Sequence, residues 1–169
     1  GFEFDILINN AGVNIISPIK DLSIQDWTNV ITINLTAPFL LIQQALSYMM
    51  ANKWGRIVNV SSCYSLISRS GRVAYSTSKS GLNGLTRTTA LEYADFNILV
   101  NAVCPGFAET ELTRKNNTPE QIELLCNQIP LKRLAKTEEI ADFVYLLGSE
   151  NNSYITGQVH IIDGGFMCQ

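Results

Sequence analysis

Four short apolar runs, separated by longer stretches of helical periodicity, constrain what this chain can fold into more than any other feature. The runs lie at about 5–9, 56–61, 98–103 and 158–162. Each is nearly continuously apolar, the pattern of a strand covered on both faces in a parallel sheet. Between them, Ser23 and Asp26 stand three apart before an apolar-periodic stretch that reaches Asn52, which predicts a long, N-capped helix. The periodicity predicts a second helix over about 73–94, with Gly81 and Gly84 inside it. Glycine costs about 1 kcal/mol against alanine in a helix, so two of them imply a packing reason such as close approach of another helix. A third helical stretch follows Pro119, a residue suited to a first helical position. A fourth runs over about 137–148, with Thr137-Glu138-Glu139-Ile140 as its capping sequence. Strands alternating with helices imply right-handed crossovers in a doubly wound, Rossmann-like parallel sheet of the α/β class. No repeat, low-complexity segment or flexible linker interrupts the pattern, and one domain is the expectation for 169 residues.

Composition narrows the partners. The chain is 46% hydrophobic and only 16% charged, which suits a buried core. Its net charge is −3 and it has no basic run, so neither nucleic acid nor an anionic membrane is an expected partner. Polar residues break the apolar runs well short of the ~18 needed for a membrane span, and no signal-peptide layout opens the chain. Cys63, Cys104, Cys126 and Cys168 are scattered without a Cys-x-x-Cys pair, which argues against zinc and a disulfide scaffold and for reduced thiols in a cytoplasmic protein. His160, the only histidine, falls in an apparent strand and reads as structural.

The residues that carry chemistry cluster by topology. Open parallel sheets bind ligands at the carboxyl ends of their strands, and Asn9, Ser62 and Pro105-Gly106 fall at three successive such ends. Tyr75 and Lys79, four apart in Ala74-Tyr75-Ser76-Thr77-Ser78-Lys79, share one helix face. A free tyrosine titrates near about 10, too high for efficient proton exchange at neutral pH, and a nearby cation lowers it. Tyr75 is therefore the candidate general acid/base, with Lys79 as its cation. Ser62 would hydrogen-bond a substrate oxygen and stabilise charge there. Ser61 competes with it, and Tyr64 is a weaker proton-donor candidate because no lysine stands four residues on.

Ser62 with Tyr75-x-x-x-Lys79 resembles the short-chain dehydrogenase/reductase family, in its shorter, non-extended branch. Ile6-Leu7-Ile8-Asn9-Asn10-Ala11-Gly12, Asn34 in Thr32-Ile33-Asn34-Leu35, Asn101-Ala102-Val103-Cys104-Pro105-Gly106, and Ser153-Tyr154-Ile155-Thr156-Gly157-Gln158 with Ile162-Asp163-Gly164-Gly165 extend the resemblance in the family's order over nearly the whole chain. It implies an NAD- or NADP-dependent oxidoreductase that transfers a hydride between the nicotinamide and a hydroxyl or carbonyl substrate, 3-oxoacyl-thioester reductase-like or sugar/alcohol dehydrogenase-like. It implies a catalytic set of Asn34, Ser62, Tyr75 and Lys79, with Lys79 also holding the nicotinamide ribose and Asn34 holding a water that links the lysine to solvent. Asn9, Ala11 and Gly12 would pass beside the adenosine half of the cofactor. Pro105 and Gly106 would shape the turn under the nicotinamide, met by the backbone of Phe107 and the hydroxyl of Thr110. The segment 107–131 corresponds to the family's substrate lid, and its mixed charges and asparagines suggest mobility; 65–73 would form the opposite wall. Arg69 and Arg72 could meet an acidic substrate group, although solvated surface arginines are the favoured reading there. The family commonly forms tetramers, so a homo-oligomer, tetramer or dimer, is expected.

One departure is an absence. The family opens with a strand and a glycine-rich turn that seats the cofactor pyrophosphate, and this chain contains no such turn. Gly1 stands just before what resembles the family's fourth strand, so 1–169 reads as a partial domain, the C-terminal two thirds of a longer enzyme lacking its first three strands. The alternatives are a non-catalytic assembly or regulatory subunit whose first strand is an open edge, and a sugar-nucleotide epimerase, which the Asn-Asn-Ala-Gly segment and the Gly-Gly ending disfavour.

Overall fold

The computed structural model describes residues 3–168, so the chain start at Gly1 lies outside it. Four strands, β1 (Ile6–Asn9), β2 (Gly55–Val60), β3 (Ile98–Pro105) and β4 (Val159–Ile162), form one parallel sheet in the order β1-β2-β3-β4. Ile8 faces Val58 across the first pair, Val58 faces Asn101 across the second, and Cys104 faces Ile161 across the third. β3 runs past its expected end to Pro105, whose missing N–H is no loss at a strand terminus.

Helices cover both faces, which is why β2 and β3 read as continuous apolar runs. Side chains alternate along a strand, so Ile57 and Val58 enter different cores. Ile57, Ile98 and Val100 meet Ile42, Leu46 and Met49 on one face. Val58 and Val103 meet Val144 and Leu147 on the other. Ile57 and Met49 are fully buried, each contributing about 1.5–3 kcal/mol of transfer free energy. β1 is different. Leu7 and Asn9 are buried, while Ile6 and Ile8 remain 46% and 47% exposed, so this edge of the doubly wound sheet is covered on one face only.

The first helix is capped as expected: Asp26 N–H donates to Ser23 Oγ at 3.0 Å. It is not one regular helix. α1 (Ile24–Ile31) passes through a π turn (Thr32–Thr36) into α2 (Ala37–Asn52), and the Ala37 N–H reaches back five residues to the Thr32 carbonyl. Pro38 is the physical cause. It has no N–H for the carbonyl of Asn34, and its ring would collide with that turn, so the ladder widens. By length and composition Ile24–Asn52 could cross a membrane, which the broken apolar runs did not foretell. Ile42, Ala45, Leu46 and Met49 pack on the sheet, while Phe39, Leu40 and Leu41 are exposed.

α3 (Val73–Tyr93) follows β2, and left-handed Asn97 (φ 56°) returns the chain to β3. Gly81 has the expected packing reason: a Cβ there would sit 2.8 Å from Leu35 Cδ2. Gly84 has none among the described residues, since a Cβ would meet nothing within 4 Å. The segment read as mobile contains an unforeseen helix, α4 (Glu111–Asn116), capped by Thr110, whose Oγ1 accepts from Thr113 N–H at 3.2 Å. α5 (Pro119–Gln128) carries a reciprocal cap between Thr118 and Gln121. α6 (Thr137–Gly148) is capped one residue earlier than expected: Lys136 N–H donates to the Glu139 carboxylate at 2.8 Å, and Thr137 is the first helical residue.

Candidate active site

The carboxyl ends of β1, β2 and β3 open into a cleft of about 720 Å³. One wall consists of Val60, Ser61 and Ser62 at the end of β2 with Tyr75 and Lys79 from α3; Thr110 and Thr113 of the α4 region and Ile140, Ala141, Val144 and Tyr145 of α6 form the other. Gly12 and the Pro105-Gly106 turn close the ends. Parallel topology thus brings together residues that are far apart in sequence.

Ser62 caps the short turn after β2, accepting from Tyr64 N–H at 3.2 Å. Its hydroxyl also lies close enough to the Tyr75 phenol to favour the anion. Ser61 is committed elsewhere, its hydroxyl donating to the Lys79 carbonyl at 3.2 Å. This separates the two serines by direction, as alternation at a strand end requires. Lys79 is buried, and its Nζ donates to the Val60 carbonyl at 2.7 Å. Desolvation lowers its pKa to about 8. The ammonium is 5.9 Å from the Tyr75 ring centroid. The phenol is not depressed, contrary to the sequence-based expectation. Burial raises it, and the opposing pulls of Ser62 and Arg72 do not overcome that. Desolvation penalises an isolated phenolate more than a cation directed at a backbone carbonyl relieves it. Cys63, beside Ser62, is held protonated by burial with a pKa pushed up to about 11, which removes it as a nucleophile.

Asn34 does not line the cleft. It is fully buried, accepts from Val13 N–H at 2.8 Å, and donates to the Val13 carbonyl at 2.9 Å and to Ser78 Oγ at 3.0 Å. It pins the segment that carries Gly12 against the helix that carries Lys79. A Cβ on Gly12 would stand 3.4 Å from Lys79 Nζ and 3.5 Å from Asn34 Oδ1, so glycine keeps that corner open. Asn9 is also turned inward, donating to Asn59 Oδ1 at 2.8 Å, and Ala11 is exposed outside the cleft lining. Asn10, which sequence reasoning passed over, takes the lining position. Gly106 is required by space: a Cβ would sit 2.9 Å from Asp163 Cα. Phe107 turns away from the cleft into an edge-to-face cluster with Tyr64 and Phe166, and its carbonyl accepts from Ala135 N–H at 2.9 Å. The whole α6 wall was missed. Its apolar positions 140, 141 and 144 carry the same helical periodicity as a core face, so nothing local marks them as lining.

The residues fit the nicotinamide–ribose half of a dinucleotide. Lys79 uses one N–H on Val60 and has further donors for a diol. Gly12, Ser61, Gly106 and Ala108 keep the lining small.

A family model described as enoyl-(acyl carrier protein) reductase matches residues 2–167. The chain is 46% identical over 162 residues to a 3-oxoacyl-[acyl-carrier-protein] reductase of Aquifex aeolicus (strain VF5), covering 95% of this chain and 64% of that protein. Among solved structures, a gluconate 5-dehydrogenase from Burkholderia cenocepacia J2315, in complex with NADP and tartrate, superposes with a TM-score of 0.94 at 28% identity, over 99% of this chain and 66% of that one. A 4-hydroxyisoleucine dehydrogenase mutant complexed with NADH and succinate superposes with a TM-score of 0.92 at 34% identity, over 99% and 70%. The chain belongs to the short-chain dehydrogenase/reductase family and spans about two thirds of the length of these relatives.

Proposed function

We propose that the protein to which this chain belongs is a nicotinamide-dependent oxidoreductase that interconverts a secondary alcohol and its carbonyl compound, with Ser62, Tyr75 and Lys79 as its reacting wall. The observation that carries this reading is the convergence of a buried lysine, a phenol one helical turn before it and a serine hydroxyl beside that phenol, all at the carboxyl edge of a parallel sheet. The cofactor, NAD or NADP, supplies or accepts the hydride.

The protein's own groups do the rest. Tyr75 gives a proton to the substrate oxygen in reduction and takes it back in oxidation. Burial raises its pKa and keeps it protonated, which suits the donor role. Ser62 holds the same oxygen and stabilises the charge that develops on it. Lys79 holds the ribose and, with its low pKa, exchanges protons near neutrality. Asn34 acts through position. Its side chain is fully used, and its main-chain carbonyl faces a proline at the residue that would ordinarily donate to it. That carbonyl is the group we assign to a water linking Lys79 to solvent. Gly12, Pro105, Gly106 and Thr110 border the cofactor's path, and Asn9, bonded to Asn59, supports it from behind.

Relatives named for 3-oxoacyl thioesters and for gluconate leave two substrate families to test. Exposed Phe39, Leu40 and Leu41 on α2 suit a homo-oligomer. The test is to express the full-length protein and follow NADH and NADPH oxidation with 3-oxoacyl thioesters and with oxo sugar acids. Turnover that is lost in Tyr75→Phe while cofactor binding persists supports the reading. Wild-type-like turnover in that variant refutes it.

A further inference from the structure

One charged side chain beside the reacting wall acts on Tyr75 through its charge alone and lines, with Ser17, Ser68 and Ser76, a depression next to the cleft. Arg72 is the N-cap of α3, three residues ahead of Tyr75 and near enough for the two groups to act on each other electrostatically. Its guanidinium carbon lies 5.9 Å from the Tyr64 ring centroid. Its Nη1 is shut off from water and donates to nothing among the described residues. The charges acting on it come from Tyr64, Tyr75 and the like-charged Arg69; no carboxylate is among them. The turn that holds it is pinned, since the Gly71 carbonyl (φ +80°) accepts from Ser17 N–H at 3.0 Å.

Arg56 shows what a buried arginine looks like here when it is complete. Its Nε donates to the Asn152 carbonyl at 3.1 Å, its Nη1 donates to the carbonyls of Gly55 and Asn97 at 2.8 and 3.0 Å, and its plane lies 4.6 Å from the Trp54 ring centroid. A desolvated guanidinium N–H without an acceptor is costly, and the acceptor that matches its planar fork best is a carboxylate.

We propose that Arg72 is a specificity-determining residue that binds the carboxylate of the substrate, so that the preferred substrate is a small oxo or hydroxy acid whose reacting carbon lies at Tyr75. This rests on the oxidoreductase reading of Tyr75. It assigns Arg72 to recognition of the anion and to no part of the proton or hydride transfer.

The test compares acids with their neutral isosteres. The full-length protein is assayed with pyruvate, acetoacetate and levulinate and with the methyl ester of each, using NADH and NADPH. At least one acid should be reduced with a kcat/KM about tenfold or more above its ester. Arg72→Gln should bring that ratio close to one, mainly through KM, and Arg72→Lys should keep part of it. A merely structural role would depress acid and ester together and leave the ratio unchanged. A ratio that survives in Arg72→Gln, or a wild type that prefers no acid over its ester, overturns the assignment while leaving the oxidoreductase reading intact. If Arg72→Gln does not fold, the wild-type ratio and its change in Arg72→Lys decide. If the wild type reduces other carbonyl compounds but none of these six, the carboxylate assignment is wrong; if it reduces none at all, both fail.

Discussion

The two walls of the cleft are built by different means. The wall of β2 and α3 is held by hydrogen bonds between residues distant in sequence: Asn34 to Val13 and Ser78, Asn9 to Asn59, Asn59 to Thr86, and Lys79 to Val60. These groups are buried, so each lost partner leaves a desolvated donor or acceptor. The wall of α4 and α6 has hydrogen bonds that are local and near the surface, such as Thr110 with Thr113 and Arg133 with Glu139, and α6 is anchored by the apolar packing of Val144 and Leu147 on the sheet. Side chains of the second wall can therefore change without breaking the buried hydrogen bonds of the first.

That contrast can be broken or sharpened by substitution in the full-length protein. The largest effect belongs to Tyr75→Phe, which should lower kcat by about 10²–10⁴-fold or more while leaving cofactor affinity, read by fluorescence titration, nearly unchanged. Next is Asn34→Ala. It strands the Val13 N–H and carbonyl and removes the donor to Ser78 Oγ, which keeps only its bond to the Tyr75 carbonyl, so urea unfolding should show a loss of about 2–4 kcal/mol. A loss below about 0.5 kcal/mol, the scale of an ordinary surface substitution, would erase the distinction between the walls.

Lys79 gives a smaller effect with a definite sign. Its folded pKa, about 8, lies below the unfolded value. Between that value and about 10.4 the unfolded chain holds more protons than the folded one, so stability should rise with pH across this window. Lys79→Met should abolish that rise and, without cofactor, stabilise the protein at pH 7 by about 1–2 kcal/mol. Denaturant midpoints from pH 7 to 10.5 would show it, and a flat wild-type profile would contradict it. The smallest effect is on the local wall. Arg133 and the Lys136 N–H hold the Glu139 carboxyl down to about 2. Its folded pKa is thus below the unfolded one, so any stability it confers is present above about pH 4.3 and is lost as pH falls towards 2. Both partners of the ion pair are exposed, at 48% and 42%, so Glu139→Gln should shift the acid-unfolding midpoint only slightly.

Sequence legibility follows the same division. Ser62, Tyr75 and Lys79 were readable because their spacing on a strand end and one helix face survives any detail of packing. Asn34 was readable as a position, yet its contacts were not, since Val13 and Ser78 lie 21 and 44 residues away. Pro38 was a signal for the π turn that went unused. α4 was missed because a six-residue helix of mixed charge has too little apolar periodicity to register, although Thr110 and Glu111 form an ordinary helix start. Lys136 displaced Thr137 as cap because Glu139 accepts from the backbone of residue 136, a choice that depends on where the chain enters the helix.

The amino-acid sequence by itself determined the parallel α/β architecture, the order of the strands and longer helices, and the meeting of Ser62, Tyr75 and Lys79 at one cleft. These depend on periodicity and spacing, which are local and repeat along the chain. Only the tertiary structure decided which groups are protonated, which asparagines face inward and which arginine is left without an acceptor. The reason is desolvation: whether Tyr75, Lys79 or Arg72 is out of water depends on what the rest of the chain places over it, and that cover comes from residues with no regular spacing to them.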